Sequence, residues 1–435
     1  MNTFDRIIGY EREKKELGRI CDMLINEEKY KKLGVNIPNA LLIHGDPGLG
    51  KTLMAKTLAE SSGRVVYSCP KTKPDGSFVD NIKETFEKAS KNAPSIVFLD
   101  DMDKFAEDNR SSDSNKEEFV VIQACLEEVK DKNVFVIATA NNIDNLPESL
   151  VRAGRFGRQI YVSFPTINES IEITKHYLKD KSVSADVSAD LIANMMPGES
   201  CATLSEVINE AGIYAGYEGE SVICQRHIIE AILNVVHHSY FSDNINEEKL
   251  KAISCHEAGH AAAILANGME VGFVSILGSN YGGVGGFCKR IDERKRRFSS
   301  METLKEEIMI NLAGKASEEI LLGTVSFGAK NDLEDAIENL RLAVEKQLVF
   351  GFEYGYDFRR FDEKQARSRQ DKVSDKIFSV LREWYDDTLN LIKQWRPVIE
   401  ELMTVLMKQK CLLRDDVNKI VSNNKNLISS ITQKC

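Results

Sequence analysis

The sequence predicts an open α/β module followed by two mainly helical regions, and three observations carry that prediction. Short unbroken apolar runs alternate with helical stretches only before about residue 166. From Asn168 to about His238 the strand signal vanishes and helical patterns take over. A polar stretch from Ser242 to Glu248 then separates these from a third region, again mainly helical, that runs to the C-terminus. The length of 435 residues fits such a division, because a single core stops growing at roughly 250–300 residues.

Each element has its own signature. Ala40–Ile43, Val65–Tyr67, Ser95–Leu99 and Val134–Ala138 are continuous apolar runs, as parallel strands buried on both faces tend to be. Leu53–Ser61 and Phe78–Lys91 lie between them with helical periodicity and read as crossover helices. The helical middle region is broken at Pro197-Gly198. In the last region Ile377, Leu381, Trp384, Leu391 and Trp395 stand close to helical spacing and read as core, and Pro397 is predicted to break the helix.

Composition removes several function classes. With 57 Lys and Arg against 67 Asp and Glu, the formal net charge of −10 argues against a protein whose main role is coating nucleic acid. The closest approach to a membrane span, Ala261 to Gly278, is interrupted by Asn267 and Glu270, and Met1–Tyr10 holds no apolar leader. Nine scattered cysteines, never in a C-x-x-C pair, suit free thiols in a reducing cytosol. The expectation is a soluble cytoplasmic chain. The basic run Lys289–Arg297 is interrupted by Asp292 and Glu293 and reads as a solvated loop or subunit contact.

Two motifs carry chemistry. Gly45-Asp46-Pro47-Gly48-Leu49-Gly50-Lys51-Thr52 matches G-x-x-x-x-G-K-[ST] between a predicted strand and a predicted helix. Its glycines let backbone N–H groups wrap phosphates, Lys51 supplies a point charge at the β/γ oxygens, and the Thr52 hydroxyl can ligate Mg²⁺. A second strand ends in Asp100-Asp101, with Asp100 as the carboxylate on the Mg²⁺ side, and a third runs into Asn141, which places an amide beside the γ-phosphate. His256-Glu257-Ala258-Gly259-His260 is an H-E-x-x-H inside a helical stretch. That spacing brings both imidazoles to one face to hold a Zn²⁺, with Glu257 beside them to take a proton from water. No histidine follows His260, so the third ligand is a carboxylate; Glu318, Glu319, Asp332, Glu334 and Asp335 are candidates that spacing leaves equivalent.

Ile8-Gly9, the P-loop, the Asp100 strand, the Arg152–Arg158 segment, the H-E-A-G-H and Leu312–Ile320 occur in one order. In these the chain resembles the FtsH family of ATP-dependent zinc metalloproteases over nearly its whole length. The resemblance implies an α/β P-loop AAA+ domain over 1–165, its helical lid over 166–243, and a mainly α-helical zinc metallopeptidase domain over 244–435. It further implies a hexameric ring, with Zn²⁺, ATP and Mg²⁺ as cofactors and polypeptides as substrates. Gly328-Ala329-Lys330-Asn331-Asp332 is similar to the family's G-A-S-N-D segment, which selects Asp332 as third ligand. Asn141 resembles the sensor asparagine, and Arg152 and Arg155 the arginine fingers that reach a neighbouring subunit's ATP. Such fingers are worth about 10³–10⁵ in rate in related NTPases. Ile8, Gly9 and Leu53 join the P-loop as implied nucleotide contacts, and Ala202 takes its place next to the adenine.

The chain departs from the family in three places. The family is anchored by N-terminal transmembrane helices, whereas this chain begins at the ATPase module, which implies a soluble relative or a piece of one. Asp101 stands where the family has Glu; the side chain is one methylene shorter, a retreat of roughly 1 Å that can cost about 10²-fold in hydrolysis. Pro74-Asp75-Gly76 occupies the translocating loop in place of an aromatic and an aliphatic residue before Gly, with Phe78 the nearest aromatic. The leading expectation is an ATP-driven protease. The alternatives are a zinc peptidase whose weak ATPase acts as gate or assembly switch, and a non-proteolytic AAA+ chaperone.

Overall fold

A computed structural model of the chain describes residues 3–70, 78–106, 114–152, 154–236, 238, 246–276, 285–291, 300–326, 330–351 and 363–424. The loop at Pro74-Asp75-Gly76, most of the basic run and most of the polar stretch before Asn246 lie outside the described residues. Two compact units emerge: Met1–Lys181 with Gly198–Glu206, and Ser182–Pro197 with Val207–Cys435. Among the described residues, no helix is long and apolar enough to cross a membrane.

The first unit is built on five parallel strands: β1 (Ala40–His44), β2 (Val65–Ser68), β3 (Ser95–Leu99), β4 (Val134–Ala140) and β5 (Arg158–Tyr161). Their order across the sheet is β2-β3-β4-β1-β5. Around them run α1 (Glu11–Ile25), α2 (Glu27–Lys32), α3 (Lys51–Ser61), α4 (Phe78–Lys91), α5 (Ser114–Glu128), α6 (Glu148–Val151) and α7 (Ile167–Leu178). The order places β4 between β1 and β3, with Leu41 opposite Ile137 and Val97 opposite Val136. The C-terminal ends of the three central strands therefore open side by side, where open α/β sheets bind ligands. Phe78 is no candidate for a pore. It is 4% exposed and stacks edge-on against Phe105 with ring centroids 4.8 Å apart.

The second unit holds α8 (Ala189–Met195), most of α9 (Cys201–Tyr217), α10 (Gln225–Val235), α11 (Glu247–Ala266), α12 (Met301–Leu322), α13 (Lys330–Glu345), α14 (Glu363–Gln409) and α15 (Arg414–Asn423). A three-stranded antiparallel sheet, β7-β6-β8, joins them: β6 is Glu270–Ser275, β7 Phe287–Ile291 and β8 Cys411–Leu413. The core is shared by α11, α12 and α14 and includes Ala258, Ala262, Ala313, Ala316, Val398 and Leu402. Small residues let the helices approach closely. A Cβ added to Gly259 would lie 2.6 Å from the Ala313 carbonyl oxygen, so only glycine fits there.

Pro397 does not break its helix, contrary to the sequence expectation; α14 runs through it. An interior proline costs about 3 kcal/mol. Val398, Ile399 and Leu402, all 0% exposed, offset that, since burying each contributes roughly 1.5–3 kcal/mol. Both tryptophans on this helix are buried, Trp384 at 5% and Trp395 at 4% exposure.

Candidate functional site

A cluster of metal-ligating residue types grows from two helices. α11 presents His256 and His260 one turn apart, and Asp332 arrives in the first turn of α13. The two Nε2 atoms lie 3.1 Å apart, and Asp332 Oδ2 lies 3.0 Å from His256 Nε2 and 3.5 Å from His260 Nε2. The outer nitrogens are fixed from behind: His256 Nδ1 donates to Glu318 Oε1 at 2.7 Å and His260 Nδ1 to the Ile310 carbonyl at 2.8 Å. A carbonyl only accepts, so His260 carries a proton on Nδ1 and turns its Nε2 lone pair inward, and Glu318 imposes the same tautomer on His256.

Three acceptors therefore converge on one point, where they repel one another unless a cation sits among them. Tetrahedral ligands held at about 2.0–2.1 Å stand little more than 3 Å apart, so the donor set and its spacing fit a zinc-type ion. The electrostatics make the same demand. Where only a proton can serve as that cation, His256 is drawn to the charged form: burial disfavours it, yet Asp332 and Glu318 outweigh burial and raise its pKa above the ordinary imidazole range. Burial likewise opposes a charged Asp332, and the two imidazoles outweigh it, holding that carboxyl well below the usual range.

Of the five carboxylates left open by spacing, the structure brings only Asp332 to the imidazole Nε2 atoms. Glu318 stands behind His256, 1% exposed, and also accepts from Ser326 Oγ at 3.0 Å. Glu319 accepts from the Tyr385 hydroxyl at 2.6 Å, Glu334 pairs with Lys330, and Asp335 is exposed. Gly314 completes the packing, because a Cβ there would lie 2.5 Å from the His256 ring. Gly314→Ala is expected to weaken metal binding about 10- to 100-fold, the range for losing an orienting neighbour, as measured by competition with a chromophoric chelator. Unchanged affinity would mean that the ring has room to shift.

Glu257, 5% exposed, lines a cavity of about 460 Å³ with His256, His260, Gly286, Phe287 and Asp332. Burial pushes its pKa up to about 7, while the two imidazoles pull it down. A second cluster of ligating types, Glu220, Cys224 and His227, lacks this logic. His227 Nδ1 accepts the Cys224 N–H, so its Nε2 carries the proton that faces Glu218, and Arg226 pairs with both glutamates.

The nucleotide pocket lies in the first unit. Gly48 and Gly50 adopt φ of 77° and 84°, and a Cβ on Gly48 would meet Ser200 Oγ at 2.7 Å and Ala202 Cβ at 2.9 Å. The P-loop is further tied by the Ala202 N–H, which donates to the Gly48 carbonyl at 3.1 Å. Asp46 and Pro47 are exposed, Leu49 is anchored in the core, and Leu53 is 41% exposed on the first turn of α3. Ile8 precedes Gly9, whose φ of 68° carries the chain onto Glu169; the Tyr10 N–H donates to Glu169 Oε1 at 2.9 Å.

At the strand ends the polar groups form one chain. Lys51 Nζ donates to the Asp46 carbonyl at 2.7 Å and to Asn141 Oδ1 at 2.8 Å, and Asn141 Nδ2 donates to Asp101 Oδ1 at 3.3 Å. Thr52 and Thr139 both donate to Asp100 Oδ1, at 2.9 and 2.7 Å, which puts the P-loop hydroxyl and the strand-ending carboxylate where one Mg²⁺ would take both. Arg152 is exposed, whereas Arg155 is tied at home, donating to Gln123 Oε1 at 3.0 Å and to the Ser149 carbonyl at 2.7 Å. Thr139 and Lys104 escaped the sequence reading, since nothing in spacing distinguishes them.

Two family models match separate stretches of the chain. Residues 41–164 match the model of the ATPase family associated with various cellular activities (AAA), and residues 243–420 that of Peptidase family M41. A protein of Leptotrichia buccalis named ATP-dependent zinc metalloprotease FtsH is 32% identical over 97% of this chain and 57% of its own length. A namesake from Ruminiclostridium cellulolyticum is 29% identical over 97% of this chain and 72% of its own. The chain belongs to the FtsH family. It spans only 57% and 61% of the first two relatives' lengths.

Proposed function

We propose that this FtsH-family chain is an ATP-dependent zinc metalloendopeptidase acting on polypeptides. The observation that carries it is the convergence of two inward Nε2 lone pairs and the Asp332 carboxylate beside the buried Glu257. His256, His260 and Asp332 would hold the zinc, which supplies Lewis acidity to a water and a scissile carbonyl. Glu257 then takes the water's proton on its carboxylate and returns it to the leaving amide nitrogen. Glu318 and the Ile310 carbonyl keep the imidazoles in the ligating tautomer throughout.

In the ATPase module, Lys51 and the P-loop N–H groups would cradle the phosphates, Thr52 and Asp100 would hold Mg²⁺, and Asn141 with Asp101 would orient the attacking water. The three-domain division at 165 and 243, and a hexameric ring with Arg152 turned to the neighbour's nucleotide, belong to the same proposal; exposure favours Arg152 over Arg155. The eight described cysteines are free thiols, which suits a cytoplasmic setting.

The test is incubation with zinc, Mg-ATP and unfolded casein, in which fragments are expected. Their complete absence from an assembled, zinc-loaded ring would overturn the reading. The Asp101–Lys104 ion pair at 2.7 Å favours a second reading, a peptidase whose slow ATPase acts as a gate. Under it, short peptides are cut without ATP hydrolysis, and robust turnover stimulated by folded substrate would exclude it.

A further inference from the structure

Asp103 and Lys104 follow the strand-ending acids in the turn Met102–Ala106. Met102 and Phe105, 0% and 2% exposed, pin that turn to the core and leave Lys104 on its outer side. Lys104 Nζ donates to Asp101 Oδ2 at 2.7 Å, with 54% of the lysine side chain exposed. The other Asp101 oxygen accepts from Asn141, whose own oxygen accepts from Lys51. Two ammonium groups, Lys104 and Lys51, are thus linked through Asp101 and Asn141 in one hydrogen-bonded chain. Lys104 also lines the same cavity of about 620 Å³ as Gly45, Asp46, Pro47 and Asn141. Asp103 lines it too, 2% exposed, with Oδ2 held by the Asn142 N–H at 3.1 Å, so the turn is fixed against the sensor strand.

This arrangement gives the γ-phosphate end of the pocket a second cation on a long, half-exposed stem. A phosphate oxygen carries more charge than one carboxylate oxygen and competes with it for an exposed ammonium on a long stem. Building on the assignment of this pocket to ATP, we infer that Lys104 is a second phosphate-binding lysine. It pairs with Asp101 when the pocket holds no triphosphate and moves to the γ-phosphate when ATP binds. The exchange releases Asp101 toward the attacking water, so a triphosphate arms the site and a diphosphate does not.

The test compares binding of a fluorescent non-hydrolysable ATP analogue and of fluorescent ADP, both with Mg²⁺, to the full chain and to Lys104→Met and Lys104→Arg. Losing one charge-assisted contact to the γ-phosphate is expected to raise the triphosphate Kd about 10-fold. The ADP Kd should stay within about twofold of wild type, and Lys104→Arg should recover most of the triphosphate affinity, since both contacts are charge-assisted. Equal losses for both nucleotides would overturn the inference in favour of a general field effect. Unchanged binding with faster turnover would overturn it in favour of a fixed restraint on Asp101. If the wild type binds neither nucleotide, it is the ATP assignment that fails, which separates the two claims.

Discussion

Glu257→Gln is expected to cut peptide cleavage on the order of 10²- to 10⁴-fold, the range for removing a positioned general base. Gln matches Glu in size and leaves His256, His260 and Asp332 untouched, so metal content should hold. Among the described residues the site has no substitute for the lost carboxylate. Asp332 is committed to the imidazoles at 3.0 and 3.5 Å, and Glu318 to His256 Nδ1 and Ser326. Packing explains why Glu257 suits the base role. A Cβ on Gly286 would lie 2.8 Å from Glu257 Cγ, so the backbone just before β7 crosses directly over the carboxyl stem and keeps bulk water off it. Cleavage of a fluorogenic peptide, zinc content by elemental analysis and ATP turnover as a folding control decide the matter. A zinc-loaded variant within tenfold of wild type would remove Glu257 from that role.

The central strands of the first unit were legible because they are buried on both faces, which writes an unbroken apolar run into the sequence. β5 was not. Arg158-Gln159-Ile160-Tyr161 buries only Ile160, as an edge strand does, and its arginine falls at the end of the Arg152–Arg158 segment rather than in an apolar run. β6 hid in the apolar stretch from Ala261 to Gly278, where the end of α11 runs straight into it. At the metal site the H-E-x-x-H needed only the helical period, which is local. Spacing leaves the third ligand open among several carboxylates at helical positions, and the resemblance of Gly328–Asp332 to the family segment points to Asp332. What the packing of α11, α12 and α13 adds is that it brings Asp332 to the imidazole Nε2 atoms and sets Glu318 behind the His256 ring. Gly259 and Gly314 mark the same limit. Each costs about 1 kcal/mol inside a helix relative to Ala, and the reason for keeping them, a carbonyl and an imidazole at close approach, is written in another helix.

Asp101→Glu is expected to raise ATP turnover up to about 10²-fold, the scale of a roughly 1 Å correction in a reacting geometry. The backbone at Asp101 is fixed: φ is 51°, in the left-handed region, and its N–H donates to Thr139 Oγ1 at 2.8 Å. The side chain must therefore do the reaching. With Asp it spans only to Asn141 Nδ2, at 3.3 Å, and to Lys104. One more methylene lets a carboxylate oxygen pass the sensor amide toward the γ-phosphate end of the cavity while Asn141 still holds the other. Phosphate release at saturating Mg-ATP measures the effect, and no gain would mean that Asp101 already reaches the water. Combining Asp101→Glu with Lys104→Met sharpens the outcome. If Lys104 has left for the γ-phosphate when ATP is bound, the two substitutions act independently on turnover and their effects multiply. If Lys104 stays on the carboxylate, removing it changes how far the longer side chain can reach, and the effects depart from multiplicative.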